Sequence, residues 1–157
     1  MQEAEIKHFT VRVYALIINP DKEILVSDEY QMNSFMTKFP GGGLEFGEGT
    51  LDCLKREAME EFGQEIEILS HFYTTDFFQR ALYLDGYQVI NVYYKARFLN
   101  QIQFPCSSRP FDFKEFVNGS QSFRWLALKD IQPEGFTLPI DKYVAKLLKI
   151  KFEANEI

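Results

Sequence analysis

The chain is poor in the residues that mark disulfide-rich or membrane-spanning proteins. Its 157 residues include only 2 cysteines, and the Lys and Arg residues, 17 in all, are fewer than the 23 Asp and Glu residues. Cys53 and Cys106 cannot form the disulfide framework of a small secreted domain, so we expect two reduced, buried thiols. No apolar run approaches the roughly 20 residues that a membrane-spanning helix requires.

The excess of acidic residues restricts the class of partner. A formal net charge of −6 argues against a nucleic-acid polymer, because binding such a polymer requires a basic face. A small phosphorylated molecule is compatible with this charge if a local cation, most simply a metal ion, offsets its phosphates. The first residues do not show the basic-then-apolar pattern of an export signal. We therefore expect a cytoplasmic protein that does not associate with a membrane.

The hydrophobic pattern predicts more strands than helices. Alternating or continuous apolar runs predict strands near residues 11–17, 23–27, 65–82, 88–98 and 121–128. Helices are predicted from about 50 to 62 and from about 139 to 152. One domain of α/β class follows, with the sheet covered on both faces. Residues from about 99 to 119 show no periodicity, and a loop of that length is usually functional or disordered.

The chemistry-bearing segment spans residues 40–64 and reads P-G-G-G-L-E-F-G-E-G-T-L-D-C-L-K-R-E-A-M-E-E-F-G-Q. Thr50 is the predicted N-cap of its helix, and Gly63 is the predicted left-handed end. Glu57, Glu60 and Glu61 are spaced i, i+3, i+4, so their carboxylates share one arc of the helix. Three such carboxylates repel one another unless a cation lies among them. Their hard oxygen ligands suit Mg²⁺ or Mn²⁺.

This segment resembles the Nudix box, G-x5-E-x7-R-E-U-x-E-E-x-G-U, in which U is a bulky aliphatic residue. The glycine and charged positions of the box are filled, at the required spacing, by Gly42, Glu48, Arg56, Glu57, Glu60, Glu61 and Gly63. Two packing positions, held by Ala58 and Gln64, depart from the pattern. The resemblance covers about 23 residues closely, and the rest of the chain agrees in its order of strands and final helix.

The resemblance implies an α/β/α sandwich around a mixed sheet and a hydrolase that depends on Mg²⁺ or Mn²⁺. Such an enzyme cleaves a phosphoanhydride bond in a nucleoside-diphosphate-like small molecule by attack of a metal-activated water. The implied metal ligands are the Gly42 carbonyl and the carboxylates of Glu57, Glu60 and Glu61, the last two also being catalytic. Arg56 and Glu48 would orient these groups. Glu45 is a candidate auxiliary ligand or base, and Glu115 is a candidate general base.

Several alternatives stay open at this stage. A non-catalytic Nudix-like module that senses a nucleotide is the main rival, and an isomerase of the same fold is a third reading. The substrate class is equally open among nucleoside triphosphates, oxidised purine nucleotides, nucleotide sugars and dinucleotides. Arg80, Lys95 and Arg97 lie on predicted strands where they could contact phosphates. A homodimer is compatible with the family, many of whose members dimerise.

Overall fold

The structure is a computed structural model that describes residues 2–157. Within that range, seven strands and two α-helices form in the order β1 (His8–Ile17), β2 (Glu23–Gln31), β3 (Ser34–Lys38), β4 (Gly41–Gly43), α1 (Thr50–Phe62), β5 (Ile66–Thr74), β6 (Tyr87–Phe98), β7 (Ser120–Ala127) and α2 (Pro139–Glu153). Residues 99–119 contain no strand or helix, as the sequence predicted. No helix in the described range is long and apolar enough to cross a membrane.

The strands divide between two sheets. The first has the order β4-β1-β6-β5, and the second has the order β3-β2-β7. β1 and β6 are parallel, whereas the other pairs are antiparallel, so the first sheet is mixed. The prediction of an α/β fold with a mixed sheet is confirmed. The division of the strands into two sheets was not predicted, because β3 and β4 are too short to give a periodic signal.

Each helix covers one face of the mixed sheet. Alternate residues of β1 point to opposite faces, so Val13 packs in the core that contains α1 whereas Tyr14 packs in the core that contains α2. Asn91, Lys95 and Arg97 alternate along one face of β6, a pattern that by itself predicts a polar, exposed face. Instead Asn91 is only 2% exposed and Tyr93 is fully buried, because α2 covers that face.

Helix α1 differs from its predicted form at one end. Gly49 is the N-cap and Thr50 is the first helical residue, while the Asp52 carboxylate accepts a hydrogen bond of 3.1 Å from the Gly49 amide. Gly63 ends the helix in the left-handed region, at φ 64°, as predicted. Cys53 is buried in the apolar face of the helix, also as predicted.

The prediction that both thiols are buried is wrong for one of them. Cys106 is exposed, because it lies in the irregular stretch before β7 rather than on a covered strand or helix. The two thiols therefore have different environments, and only the thiol on α1 belongs to the core.

Candidate functional site

The glycine segment forms the edge of the mixed sheet beside α1. β4 pairs with β1 alone, with Gly42 opposite Val13 and Gly43 opposite Arg12. A Cβ added to Gly42 would lie 2.1 Å from Oε1 of Glu57. The Glu57 carboxylate therefore sits directly against the backbone of β4, and only glycine leaves room for it.

Arg56 gathers several of the carboxylates on the outer side of this edge. Its Nη2 donates to Glu48 Oε1 at 2.7 Å and its Nε donates to Glu48 Oε2 at 3.0 Å, a two-point interaction that fits the guanidinium fork. Nη2 also donates to the Gly43 carbonyl at 2.9 Å. These bonds tie the glycine segment to the helix, and Arg56 lowers the pKa of Glu48 to about 2.

The same guanidinium contacts the first two glutamates of the triad. Nη1 of Arg56 lies 3.1 Å from Glu57 Oε1 and 3.3 Å from both carboxylate oxygens of Glu60. Glu45 is more distant, at 3.7 Å, and its side chain is largely exposed. The carboxylates of Glu48, Glu57 and Glu60 thus surround one permanent cation. Their mutual repulsion, which the sequence alone could not resolve, is offset by Arg56.

Glu61 lies apart from this group, on the inner side of α1. It borders a small cleft with Glu57, Pro40 and Gly41. Its Oε2 is buried and has no hydrogen-bond partner in the part of the chain that the structure describes. Burial raises the pKa of Glu61 to about 7, against the opposing attraction of Lys38. The charge of Lys38 therefore compensates the ionised carboxylate only in part.

The donor groups fit a hard divalent cation, although they are not yet assembled around one. No cluster of three or more His, Cys, Asp or Glu side chains within residues 2–157 is arranged to hold a metal ion. The physical reason is that Arg56 Nη1 lies between Glu57 and Glu60. Two observations nevertheless fit a metal: the partnerless buried oxygen of Glu61, and the Gly42 backbone, which leaves room beside Glu57 that a side chain would fill.

A cavity of about 390 Å³ is lined by Arg12 and Tyr14, the β1 residues that pair with Gly43 and Gly41, and by residues at the start of α2. Its polar lining residues include Arg12, Glu29, Lys38, Asn91 and Arg80. Its apolar lining residues include Met36, Leu82, Tyr83, Val89 and Ile140. A mainly apolar cleft with a few polar groups is the usual form of a small-molecule site.

Two buried polar groups of this cavity were missed by the sequence analysis. Lys38 and Glu29 form an ion pair of 3.2 Å between Nζ and Oε2, and both side chains are less than a tenth exposed. The sequence did contain a signal for Lys38, because this lysine lies directly before Phe39 and Pro40, which lead into the glycine segment. Arg12 was missed too, although a single arginine between Val11 and Val13 interrupts an otherwise apolar strand.

The remaining candidates lie away from the glutamates. Glu115 is exposed in the irregular loop, where its carbonyl accepts a bond of 2.7 Å from Ser120 Oγ. Its carboxylate has no hydrogen bond or ion pair to any residue of the described range, so its role as a base stays a prediction. Arg80, which lines the cavity, is engaged by the Ala4 carbonyl at 2.8 Å and by Glu3 at 3.3 Å. Arg97 forms an ion pair with Glu67 at the surface.

Comparison with known proteins places this geometry in a family. The family model described as NUDIX domain matches residues 8–147. The RNA pyrophosphohydrolase of Helicobacter pylori strain G27 is 35% identical over 71 residues, which are 42% of this chain and 45% of that protein. The match thus spans less than half the length of this relative.

Solved structures show the same fold over nearly the whole chain. A NUDIX hydrolase from Nitrosomonas europaea superimposes with a TM-score of 0.65 at 17% identity, covering 95% of this chain and 90% of the other. The MutT protein from Methanosarcina mazei Go1 gives a TM-score of 0.65 at 19% identity, covering 96% and 98%. Because the family model covers most of the chain and these folds agree, the chain belongs to the Nudix hydrolase family, as the box at residues 42–64 predicted.

Proposed function

We propose that this chain is a divalent-metal-dependent pyrophosphohydrolase that acts on a nucleoside-diphosphate-like small molecule. Glu57, Glu60, Glu61 and the Gly42 carbonyl would hold Mg²⁺ or Mn²⁺. The observation that carries the proposal is the meeting of Glu57 and Glu61 at one cleft beside a glycine backbone, with one oxygen of Glu61 buried and without a partner. Arg56 and Lys38 compensate these two carboxylates only in part, since burial still raises the pKa of Glu61 to about 7.

The residues of the chain have separate parts in this proposal. When bound, the divalent ion supplies the charge that activates water and stabilises the phosphoryl transition state. Arg56 holds Glu48 and the Gly43 carbonyl, and so keeps the glycine segment against the helix. Arg56 also orients Glu57 and Glu60. Its contacts with these two carboxylates are weaker than those with Glu48, and a bound metal ion would replace them. Glu45 and Glu115 stay candidates for an auxiliary ligand and a general base.

The cavity gives the substrate a place for its nucleoside. Its volume of about 390 Å³ is within the range of small-molecule sites, and its apolar walls suit a flat base and sugar. The name of the Helicobacter pylori relative agrees with a phosphoanhydride substrate, since it is an RNA pyrophosphohydrolase. We therefore place the reaction among hydrolyses of nucleotide anhydrides in solution, in keeping with the expected cytoplasmic location.

The test is a substrate panel with purified protein and Mg²⁺ or Mn²⁺. Nucleoside triphosphates, oxidised purine nucleotides, nucleotide sugars and dinucleotides would be compared by product analysis. Glu57→Gln and Glu60→Gln should each lower turnover by two orders of magnitude or more while circular dichroism stays unchanged. Glu153→Gln, at an exposed position on α2, is the matched control. Wild-type turnover in both variants would refute the metal assignment. Tight binding without product under either metal would favour the nucleotide-sensing alternative.

A second candidate substrate is the 5′-triphosphate end of RNA. The 35% identity to an RNA pyrophosphohydrolase over 71 residues favours it, whereas the net charge of −6 disfavours contacts along the RNA strand. A 5′-triphosphorylated oligonucleotide added to the panel decides between the two. Release of pyrophosphate from the oligonucleotide, faster than from any free nucleotide, would establish the RNA end as the substrate.

A further inference from the structure

Arg12 lies on the cavity side of the glycine edge with most of its hydrogen-bonding capacity unused. Its Nε donates to Tyr14 Oη at 2.7 Å, and no other side-chain hydrogen bond or ion pair of Arg12 occurs within residues 2–157. A Cβ added to Gly43 would lie 3.6 Å from Arg12 Nη1, so the guanidinium lies close to the backbone of β4. A guanidinium presents five donors, and here the terminal nitrogens keep theirs available to a ligand.

Lys38 places a second cation beside the first. The Lys38 ammonium and the Arg12 guanidinium each lie 5.8 Å from the centre of the Tyr14 ring. Glu29 neutralises only one of these two charges, through its ion pair with Lys38. The charged side chains that line this wall of the cavity are thus two cations and one anion, while Glu57 acts on Arg12 and Glu61 acts on Lys38 from outside the cavity lining.

The glycine edge lies between Arg12 and Glu57. The Gly42 Cβ position faces Glu57, whereas the Gly43 Cβ position faces Arg12, because successive residues of a strand point to opposite sides. β4 has three residues, all glycine, and no strand pairs with its outer side within the described chain. Gly41 and Gly42 are buried, and Gly43, which is half-buried, lies next to Arg12. A phosphate bound by Arg12 would therefore lie at the Gly43 end of this edge, one residue from the Gly42 backbone that contacts Glu57.

We propose that Arg12 and Lys38 form an anion subsite that binds a phosphate of the substrate other than the one attacked. This inference rests on the proposed function, and it makes the two cations positioning residues for the phosphate chain. Arg12 would contact phosphate oxygens through its terminal nitrogens. Lys38, which is held by Glu29, would add charge without moving. The nucleoside would then occupy the cavity while the bond to be cleaved lies beside Glu57 and Glu61.

The test uses inorganic pyrophosphate as the probe, in EDTA and at low ionic strength, with calorimetric titration of the full chain. Wild-type protein should show one saturable site whose affinity falls as NaCl is added, because salt screens the attraction. Arg12→Gln should weaken binding about tenfold or more, which is the expected loss of a charge-assisted hydrogen-bond pair. Arg12→Lys keeps the charge but lacks the guanidinium fork, so its affinity for pyrophosphate should lie between those of wild type and Arg12→Gln.

Arg109→Gln is the matched control, since Arg109 is an exposed arginine that pairs with Asp112 and does not line the cavity. Its affinity for pyrophosphate should equal that of wild type. For Lys38, the double variant Lys38→Met/Glu29→Gln avoids leaving a buried unpaired carboxylate and should also weaken binding. Thermal unfolding of each variant confirms that it is folded before titration.

The outcomes separate this proposal from the proposed function. The subsite is refuted if wild type shows no saturable binding, if Arg12→Gln binds as tightly as wild type, or if Arg109→Gln weakens binding as much as Arg12→Gln does. The titration contains no divalent metal and requires no turnover. A substrate panel without product would therefore refute the hydrolase and leave an observed anion subsite standing, and the reverse result would refute the subsite alone.

Discussion

The outer and inner sides of α1 carry the same kind of side chain in opposite electrostatic conditions. On the outer side, the carboxylates of Glu48, Glu57 and Glu60 all contact the guanidinium of Arg56. On the inner side, Glu61 has a buried oxygen without a partner among the described residues, and burial raises its pKa to about 7. Adjacent glutamates, Glu60 and Glu61, thus differ because of what surrounds them.

The network around Arg56 therefore stabilises the fold of the glycine segment, whereas Glu61 is the carboxylate that a bound cation would stabilise. The outer network is satisfied by the protein itself, so it can hold the glycine segment against the helix at any metal concentration. The inner carboxylate costs free energy when ionised, and a divalent cation would remove that cost. Glu57 belongs to both sides, since it contacts Arg56 and borders the inner cleft. The predictions below test this division.

The largest expected effect is that of Gly42→Ala. The added Cβ would lie 2.1 Å from the Glu57 carboxylate. This carboxylate would therefore have to move from its position between Arg56 and the inner cleft. We expect turnover to fall by about two orders of magnitude or more, and the Mg²⁺ requirement to rise. Gly43→Ala is the matched control, because its Cβ has 3.6 Å of room and its backbone is not in the left-handed region. Equal losses in both variants would contradict the steric argument.

The second effect is the pH-dependent stability that Glu61 contributes, beside that of Asp141, whose pKa burial raises to about 6 in wild type and variant alike. The pKa of Glu61 is about 7 in the folded protein, above the ordinary value of 4.5, so the folded state binds more protons between these values. Metal-free stability should therefore fall as pH rises from about 4.5 to 7, by up to about 3 kcal/mol. Glu61→Gln should be free of this loss, being more stable than wild type at pH 8 and similar at pH 4.

Denaturant titration at several pH values measures this effect, and the outer glutamate supplies the control. Glu60 is exposed, and Glu60→Gln should follow the pH curve of wild type. Added Mg²⁺ should raise the stability of wild type above pH 7 and should leave that of Glu61→Gln unchanged. Parallel pH curves for wild type and Glu61→Gln would show that the inner carboxylate is not the group responsible.

The sequence predicted the local helix geometry of this site well, but it did not predict which residues surround the site in the folded protein. Gly63 ended α1 as predicted, and the spacing of Glu57, Glu60 and Glu61 placed them on one helix correctly, because both follow from local geometry. The separate environment of Glu61 could not be predicted, since it depends on Lys38 and Glu29, which come from two other strands. Sequence spacing fixes angles around a helix, whereas the neighbours of a side chain depend on tertiary packing.

The fold shows the same limit. Both helices and most long strands could be predicted from periodicity, as in β6, which the pattern placed at 88–98 and the structure places at Tyr87–Phe98. The strand predicted at 65–82 was too long, because β5 ends at Thr74. β4 could not, because three glycines carry no hydrophobic pattern. Arg12 was read as part of an apolar strand, and its position at the cavity depends on the pairing of β1 with β4 and β6.

A smaller effect concerns the acid stability of the outer network. Arg56 lowers the pKa of Glu48 to about 2, so this pair stabilises the fold above the ordinary pKa of 4.5, and the contribution is lost as pH falls toward 2. Glu48→Gln should therefore lower the unfolding temperature at pH 7, and the difference from wild type should vanish near pH 2. Glu45→Gln, at a largely exposed position 3.7 Å from Arg56, should change neither value. If Glu48→Gln still unfolds at a lower temperature than wild type at pH 2, the difference is due to packing and not to the ion pair.

The smallest effect is kinetic and uses the buried thiol beneath the outer network as a probe. Cys53 Sγ lies 3.5 Å from the Gly43 carbonyl oxygen, and burial raises its pKa to about 12, so it should react with a thiol reagent only when α1 and the glycine segment separate. In the variant Cys106→Ser, which removes the exposed thiol, the labelling rate of Cys53 measures that separation. Adding Glu48→Gln should accelerate labelling several-fold, since it weakens the link through Arg56, whereas adding Glu61→Gln should not. Faster labelling with the inner substitution than with the outer one would mean that the inner side, and not Arg56, holds the loop against the helix.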